Sequence, residues 1–360
     1  MRTFDEVMQR LRMYEGVRQT PADAETFHKN LLESNDISEI YGGSLPTARY
    51  PIPNNYNQSV ESPKTIDFTD SIDPAIRNKV IALRNHKNKD ESVVYSDDKD
   101  GPAQNFCDEY IHAAYNDQNK INEFVQKVDL ITYEFENIPY QTLNEMNNSK
   151  PVLPKPSVNR IIQHRIAEKD FVNKFNIRTT RYAVVEKKSD LEALGDLLPG
   201  ILKTTTLGYD GKGQYPIKSH EDIEKLNIDF SKEYILERLI KLKKEISVIV
   251  TRFGVNSYEV YEPIENKHED QILKYSEIPA NISENILNQS KEWATLLAEE
   301  LKYVGTMCVE FFVDRNDNLY VNEIAPRVHN SGHLTINAFN VSQFENHIRA
   351  VCGLEQIPLK

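Results

Sequence analysis

The chain has 360 residues, 39% of them hydrophobic, a net charge of −12 and three cysteines. That length suffices for two or three domains with a sizeable core, and the acidic balance without a long basic run excludes a nucleic-acid backbone as the main partner. Cys107, Cys308 and Cys352 are far apart and odd in number, which excludes a disulfide framework or a metal-binding spacing and fits a reducing cytoplasm.

Residues 1–72 read as a helical and extended segment of no recognised kind. Phe4, Val7, Met8, Leu11 and Tyr14 form one helical stripe, and Thr20-Pro21 suits a second helix start. The opening stretch has no uninterrupted apolar core, so it is not expected to be a signal peptide, and no 18-residue apolar run marks a membrane span. Residues 41–65, with Gly42, Gly43, Pro46, Pro51, Pro53 and Pro63, read as a linker or extended arm. Asp73-Pro74 opens a short helix with Ile76, Val80 and Leu83 on one side.

From about residue 91 the pattern becomes α/β. Strands are expected at 92–96, 129–139 and 151–154, and helices at 119–128 and 158–175. RYAVVE, GILKTT, GQYPIK, EYILERL, EISVIVTRF and SYEVYEPIE are strand-like, residues 285–301 are helical, and residues 307–326 read as a hairpin. A last helix opens with Ser342 and Glu345 as a capping box and stops at Gly353.

In LKTTTLGYDGKGQYPIK, Gly208, Gly211 and Gly213 surround Lys212. A Rossmann turn or P-loop leads into a helix. Here Gln214, Tyr215, Pro216 and Ile217 follow, and they favour a strand. The loop is thus either a flap whose N–H groups close over phosphates, helped by Lys203 and Lys212, or an ordinary surface hairpin.

In CVEFFVDRNDNLYVNEIAP, a turn centred on Asn316-Asp317 puts Glu310 opposite Glu323. Facing carboxylates repel. Either a shared divalent cation such as magnesium explains them, or they are a tolerated, solvent-exposed pair. Glu134 and Glu136 end an apolar run, as ligand-site acids or as plain loop acids. His329 and His333 have a helical zinc spacing, but Asn330, Ser331 and Gly332 between them argue against a helix. Arg327, His329, Asn330 and Ser331 look like a polar loop for an anionic substrate. Arg165 and Lys169 by default form a solvated helix face.

TYEFENIP (132–139), LGYDGKGQ (207–214) and NEIAPRVHNSGH (322–333) resemble the ATP-grasp enzymes of the N5-carboxyaminoimidazole ribonucleotide synthase family, from about Tyr95 onward. The resemblance implies an α/β (α+β) chain: a partial, Rossmann-like pre-ATP-grasp domain at 73–155, then an ATP-grasp domain at 156–360 with a flap subdomain at about 180–245. It implies a ligase of purine biosynthesis that carboxylates aminoimidazole ribonucleotide with ATP and bicarbonate through carboxyphosphate. Its expected partners are small molecules, with no nucleic acid and no membrane, and homodimers are common in the family. By resemblance, Arg165, Lys203, Gly208, Tyr209, Asp210, Gly211, Lys212, Gly213, Gln214, Glu237, Arg238, Leu239, Ile240, Glu245, His268, Asn322 and Glu323 contact nucleotide, although strand alternation turns Asn322 away from Glu323. Glu310 and Glu323 would hold magnesium. Glu134, Glu136, Tyr209, Asp210, Arg327, His329, Asn330 and Ser331 would face the ribonucleotide, with Asp210, Lys212, Arg327 and His329 in catalytic roles.

The sequence departs from the family in places. No glycine lies between Gly43 and Gly101, where a glycine-rich turn for the substrate phosphate is expected, and the small C-terminal domain is expected to be absent. Another ATP-grasp carboxylate-amine ligase, or an inactive nucleotide-binding remnant, are the alternatives.

Overall fold

The computed structural model describes residues 92–206, 213–269 and 272–360. The helices and the extended arm expected before residue 91 lie outside them. Two compact units divide the chain. Of the first, residues 92–94 and 98–110 are described, and the second comprises Tyr95–Asp97 and Ile111–Lys360.

Strands β1 (Val93–Ser96) and β2 (Glu109–His112) form a two-stranded sheet. Helix α1 (Gln118–Lys127) starts at Asp117, whose carboxylate accepts the Asn119 and Lys120 N–H groups at 3.1 Å each. Its expected stripe, Ile121, Phe124 and Val125, is buried. The strands expected at 129–139 and 151–154 shrink to one parallel bridge, Ile131 to Val152.

Helix α2 (Tyr140–Asn147) precedes a break in the long helix expected over 158–175. Two helices form instead, α3 (Pro156–Ile162) and α4 (Arg165–Lys174). Tertiary hydrogen bonds explain the break. Gln163 Nε2 donates to the Glu136 and Ile138 carbonyls at 2.7 and 2.6 Å, and the Arg165 N–H goes to the Thr205 carbonyl at 2.9 Å.

A four-stranded antiparallel sheet follows. Its elements are β3 (Tyr182–Val185), helix α5 (Lys188–Ala193), β4 (Gly200–Thr204), β5 (Gln214–Ile217), helix α6 (His220–Lys225) and β6 (Tyr234–Arg238). The strand order is β3-β6-β4-β5. Val185, Leu191, Leu202, Ile217, Ile223 and Leu236 form its core. The glycine loop does join two paired strands: Lys203 faces Gln214, and the Thr204 N–H donates to the Gly213 carbonyl at 3.0 Å. Gly213 has φ +72, and a Cβ there would meet Thr204 Oγ1 at 2.7 Å.

The larger sheet contains β7 (Leu242–Gly254), β8 (Ser257–Val260), β9 (Ile264–Glu269), β10 (Ile272–Glu277), β11 (Gly305–Asp314) and β12 (Leu319–Ala325). Its order is β10-β9-β7-β11-β12, with β8 also on β7. Alternation gives this sheet two different faces. Ile246, Val248 and Val250 of β7 with Val309 and Phe311 of β11 pack on Ile286, Ala294 and Leu297 of helix α7 (Glu284–Glu300). Each of these valine, isoleucine, leucine and phenylalanine side chains contributes about 1.5–3 kcal/mol on burial. The other face carries Ser247 and Glu310, which are register partners on β7 and β11.

Helices α8 (Thr335–Ala338) and α9 (Gln343–Val351) complete the chain. Ser342 Oγ accepts the Glu345 N–H at 3.2 Å, but the Glu345 carboxylate turns to Arg349 at 2.9 Å. Only half of the expected capping box forms. The stop at Gly353 is as expected, with φ +66 there. No helix among the described residues is long and apolar enough to cross a membrane.

Candidate active site

The β11–β12 hairpin places two carboxylates. The Asp314 carboxylate accepts the Asn316 and Asn318 N–H groups at 2.8 and 2.9 Å, which closes the turn, and Asp317 takes φ +59. From this turn Val313 pairs with Leu319 and Phe311 with Val321. The register then shifts, and Glu310 pairs with Glu323. Asn322 is the extra residue of a β-bulge. The bulge re-aims its side chain toward Glu310, whose pKa it helps to lower. The expectation that alternation turns Asn322 away is therefore corrected.

His329 Nε2 lies 3.2 Å from Glu310 Oε1, and Arg165 Nη1 lies 3.5 Å from Glu323 Oε2. Burial and then the facing Glu310 raise the Glu323 pKa, against Arg165 and Lys203. Burial also opposes ionisation of Glu310, but His329, His268 and Asn322 outweigh it and lower its pKa. The environments thus push the two carboxylates apart. Burial disfavours a charge on His329; Cys308 and Glu310 outweigh it and hold its pKa above the ordinary value. Against that, the Ser331 N–H points at Nδ1 at 3.3 Å and favours a lone pair there.

A second cluster lies beside them. Lys169 and Lys203 both reach Glu237 Oε2, at 3.3 and 3.1 Å, and Thr180 Oγ1 donates to the same oxygen at 3.0 Å. Burial opposes the Glu237 charge, yet Lys169, Lys203 and Arg165 bring its pKa down to about 2. Burial lowers the Lys203 pKa, against Glu237. Glu237 Oε1 is buried without a hydrogen-bond partner in the chain. Arg165 and Lys169 are not a solvated face: Lys169 is 2% exposed. Glu168, one position earlier, accepts the Ile324 N–H at 2.5 Å, and burial followed by Glu323 raises its pKa to about 8.

The remaining expected residues divide. Gly208, Tyr209, Asp210, Gly211 and Lys212 lie outside the described residues. Gly213 and Gln214 begin the return strand. His268 Nδ1 meets Glu245 Oε2 at 2.5 Å, and that hydrogen bond raises the His268 pKa. Arg238 and Leu239 are exposed and Ile240 is half-buried. Arg327 Nε binds Glu136 Oε2 at 2.9 Å, and Glu134 and Asn330 are exposed. Ser331 is fully buried and Glu237 is 3% exposed, so in this conformation neither presents itself to a ligand as the resemblance implies. His329 and His333 sit around a 3-10 turn, Asn330–Leu334, rather than on an α-helix.

Glu168 and Ser247 were missed by sequence reasoning, and Lys169 was weighed only as part of a solvated face. Ser247 had a signal, a lone polar residue inside the apolar run ISVIV. Among the described residues no three or more His, Cys, Asp or Glu side chains form a metal-holding group. Two hard carboxylates on one face still suit a cation that takes its other ligands from phosphate and water.

An antiparallel sheet pair, a strand-to-strand glycine loop, and cations beside facing carboxylates define an ATP-grasp protein. Family models agree: residues 78–163 match the ribonucleotide synthetase preATP-grasp domain, and residues 170–344 match the ATP-grasp domain. The first match begins before Tyr95, where the motif resemblance starts. An N5-carboxyaminoimidazole ribonucleotide synthase of Staphylococcus aureus is 36% identical over 278 residues, 76% of this chain and 74% of that one. One of Brucella melitensis is 39% identical over 269 residues, 73% and 74% of the two chains. The structure of the Staphylococcus aureus N5-carboxyaminoimidazole synthetase complexed with ADP superposes with a TM-score of 0.71 at 35% identity, covering 78% of this chain and 76% of that one. The chain belongs to the N5-carboxyaminoimidazole ribonucleotide synthase family, whose members are ATP-dependent ligases.

Proposed function

We propose that this chain carboxylates 5-aminoimidazole ribonucleotide at its exocyclic amine, using ATP, bicarbonate and magnesium, in cytoplasmic purine biosynthesis. The observation that carries the site assignment is Glu310 facing Glu323, with Arg165 at 3.5 Å from Glu323. Glu310 and Glu323 would hold magnesium, which supplies charge neutralisation on the nucleotide phosphates.

The chain's own residues bind and orient. Lys203 and Arg165 neutralise phosphate charge, and Glu237 holds Lys203 in place through its shared oxygen. Gly208 to Gln214 close over the phosphates and exclude water from a labile acyl phosphate. A bicarbonate oxygen attacks the γ-phosphorus, the bond to ADP breaks, and carboxyphosphate forms. Positioning and charge neutralisation drive that transfer. Carboxyphosphate releases carbon dioxide and phosphate; the amine nitrogen attacks the carbon, and the proton it loses passes to the released phosphate. His329 borders Glu310, where the carboxyl group is handled, and Arg327, held by Glu136, binds the anionic ribonucleotide.

The test is ADP release by the purified chain with ATP, magnesium and bicarbonate, with and without aminoimidazole ribonucleotide. Stimulation by the ribonucleotide supports the ligase. ATP binding without stimulation would reduce the reading to a nucleotide-binding remnant.

A further inference from the structure

Beneath Glu310 the sheet buries a line of polar side chains that no step above uses. Ser276 Oγ on β10 donates to Asn266 Oδ1 on β9 at 2.9 Å. Asn266 Nδ2 donates to Ser247 Oγ on β7 at 3.0 Å. Ser247 Oγ donates to Ser331 Oγ at 2.7 Å, and Ser331 Oγ lies 2.8 Å from His329 Nδ1. The far side of the ring, Nε2, faces Glu310. Ser247 and Ser331 are fully buried and Asn266 is 5% exposed.

We infer that Ser276, Asn266, Ser247 and Ser331 form a positioning chain that sets the His329 ring so that Nε2–H is directed at Glu310. The inference rests on the ligase reading, which puts His329 and Glu310 at the reacting centre. Each link has a hydroxyl on at least one side, so the chain keeps its geometry whichever way its protons run. The Asn266 amide is used at both ends, which holds the side chain between Ser276 and Ser247; a flip would only reverse both bonds, because each neighbour is a hydroxyl. In the arrangement present, the Ser247 hydroxyl accepts from Asn266 and donates to Ser331. The ring is held in either charge state: an Nδ1 lone pair accepts the Ser331 hydroxyl, and an Nδ1–H donates to its oxygen. The single arrangement excluded is a neutral ring with a bare Nε2, which would put a lone pair against the Glu310 carboxylate.

A dry strand would carry an aliphatic residue at position 247, between Ile246 and Val248. A serine buried there costs about 1–3 kcal/mol unless it is hydrogen-bonded. The chain satisfies it and spends that satisfaction on the orientation of one histidine. Histidines at metal sites are commonly oriented in this way by a hydrogen bond at the second nitrogen.

The experiment measures ribonucleotide-dependent ADP release by the full chain and by Ser247→Ala and Ser247→Thr, together with the 15N spectrum of the histidine rings, His329 being assigned with His329→Asn. Ser247→Ala is expected to lower kcat about 10-fold or more while the KM for ATP stays within about 2-fold. Ser247→Thr, which keeps the hydroxyl, restores kcat. The wild-type His329 spectrum shows a protonated Nε2. Wild-type kcat in Ser247→Ala, or a bare Nε2 in the wild-type chain, overturns the inference. If Ser247→Ala does not fold, Ser276→Ala at the outer end carries the kinetic comparison, with a smaller drop expected and an unchanged kcat counting against the chain. If the wild type itself shows no ribonucleotide-stimulated turnover, the ligase reading fails, and the His329 spectrum still decides the hydrogen-bond chain.

Discussion

Glu310 stands opposite Glu323 because Asn322 is one residue more than its strand needs. Continued from the turn without a bulge, the register would have set Glu310 against Asn322. The bulge gives that place to Glu323 and brings the Asn322 side chain onto Glu310 as well. One inserted residue thus delivers two polar groups to the same point, while Val321 and Ile324 both stay in the dry core. Glu323→Ala is expected to lower kcat by about 10²–10³, on the scale of removing one preorganised electrostatic group. Asn322→Ala, which takes a polar neighbour from Glu310, should cost less, about 10–100-fold. A steady-state assay across magnesium concentrations checks both, and near-normal turnover of Glu323→Ala would remove the metal assignment.

Glu237 is the keystone of the basic cluster, since two buried lysines share its Oε2. Removing the carboxylate leaves Lys169 and Lys203 facing each other without a counter-charge. Glu237→Ala is expected to destabilise the chain by about 3–5 kcal/mol, the cost of breaking a buried ion pair from one side. Lys203→Ala leaves Glu237 still paired with Lys169, so it should fold and fail to bind ATP. Urea unfolding separates the two variants, and ATP titration of Lys203→Ala completes the comparison. Equal, small stability changes in both would show that the cluster is not held as described.

The hairpin was legible in the sequence because its turn residues and its alternation are local signals. The facing carboxylates came out correctly, yet from a turn centred half a residue away from the real one, with the bulge making up the difference. Bulges have little signature in a single sequence, since they depend on what both strands must face. The break at Gln163 was also hidden, because the carbonyls it satisfies, Glu136 and Ile138, are more than twenty residues distant. Depth was the third gap. Motif likeness placed Ser331 and Glu237 against ligands, but both are held by buried partners that lie far away in sequence. Lys169 was read as a solvated face for the same reason: its partner Glu237 is on a strand, β6, far along the chain from helix α4.

Arg327 and Glu136 form an ion pair at 2.9 Å, and Arg327 also donates to the Val328 carbonyl at 2.9 Å. The guanidinium is therefore held in one orientation before any substrate arrives. Lysine cannot reproduce that fork. Arg327→Lys is expected to raise the KM for the ribonucleotide about 10-fold or more, the loss of one charged hydrogen bond. The KM for ATP should change little. A rise in the ATP KM alone would move Arg327 from the ribonucleotide to the nucleotide side.

His347 gives the pH dependence of stability. It is 6% exposed, its Nδ1 accepts the Thr306 N–H at 3.0 Å, and its Nε2 meets the Thr132 hydroxyl at 2.7 Å. Burial lowers its pKa to about 4 in the folded chain. The unfolded chain keeps a value of about 6.5. Between those two values the unfolded state binds a proton that the folded state does not, so stability falls as pH falls. The contribution is whole above pH ~6.5 and is lost by pH ~4, amounting to about 3 kcal/mol. Glu168 pulls the other way over part of this range, because its carboxyl stays protonated in the fold up to about pH 8. That term is common to wild type and variant and cancels in their difference. His347→Asn keeps an acceptor for the Thr306 N–H and has no proton to gain. Urea unfolding at a series of pH values should therefore show the wild type losing stability faster than His347→Asn as the pH falls below ~6.5. Parallel curves would mean that His347 titrates alike in both states and is not sealed in the core.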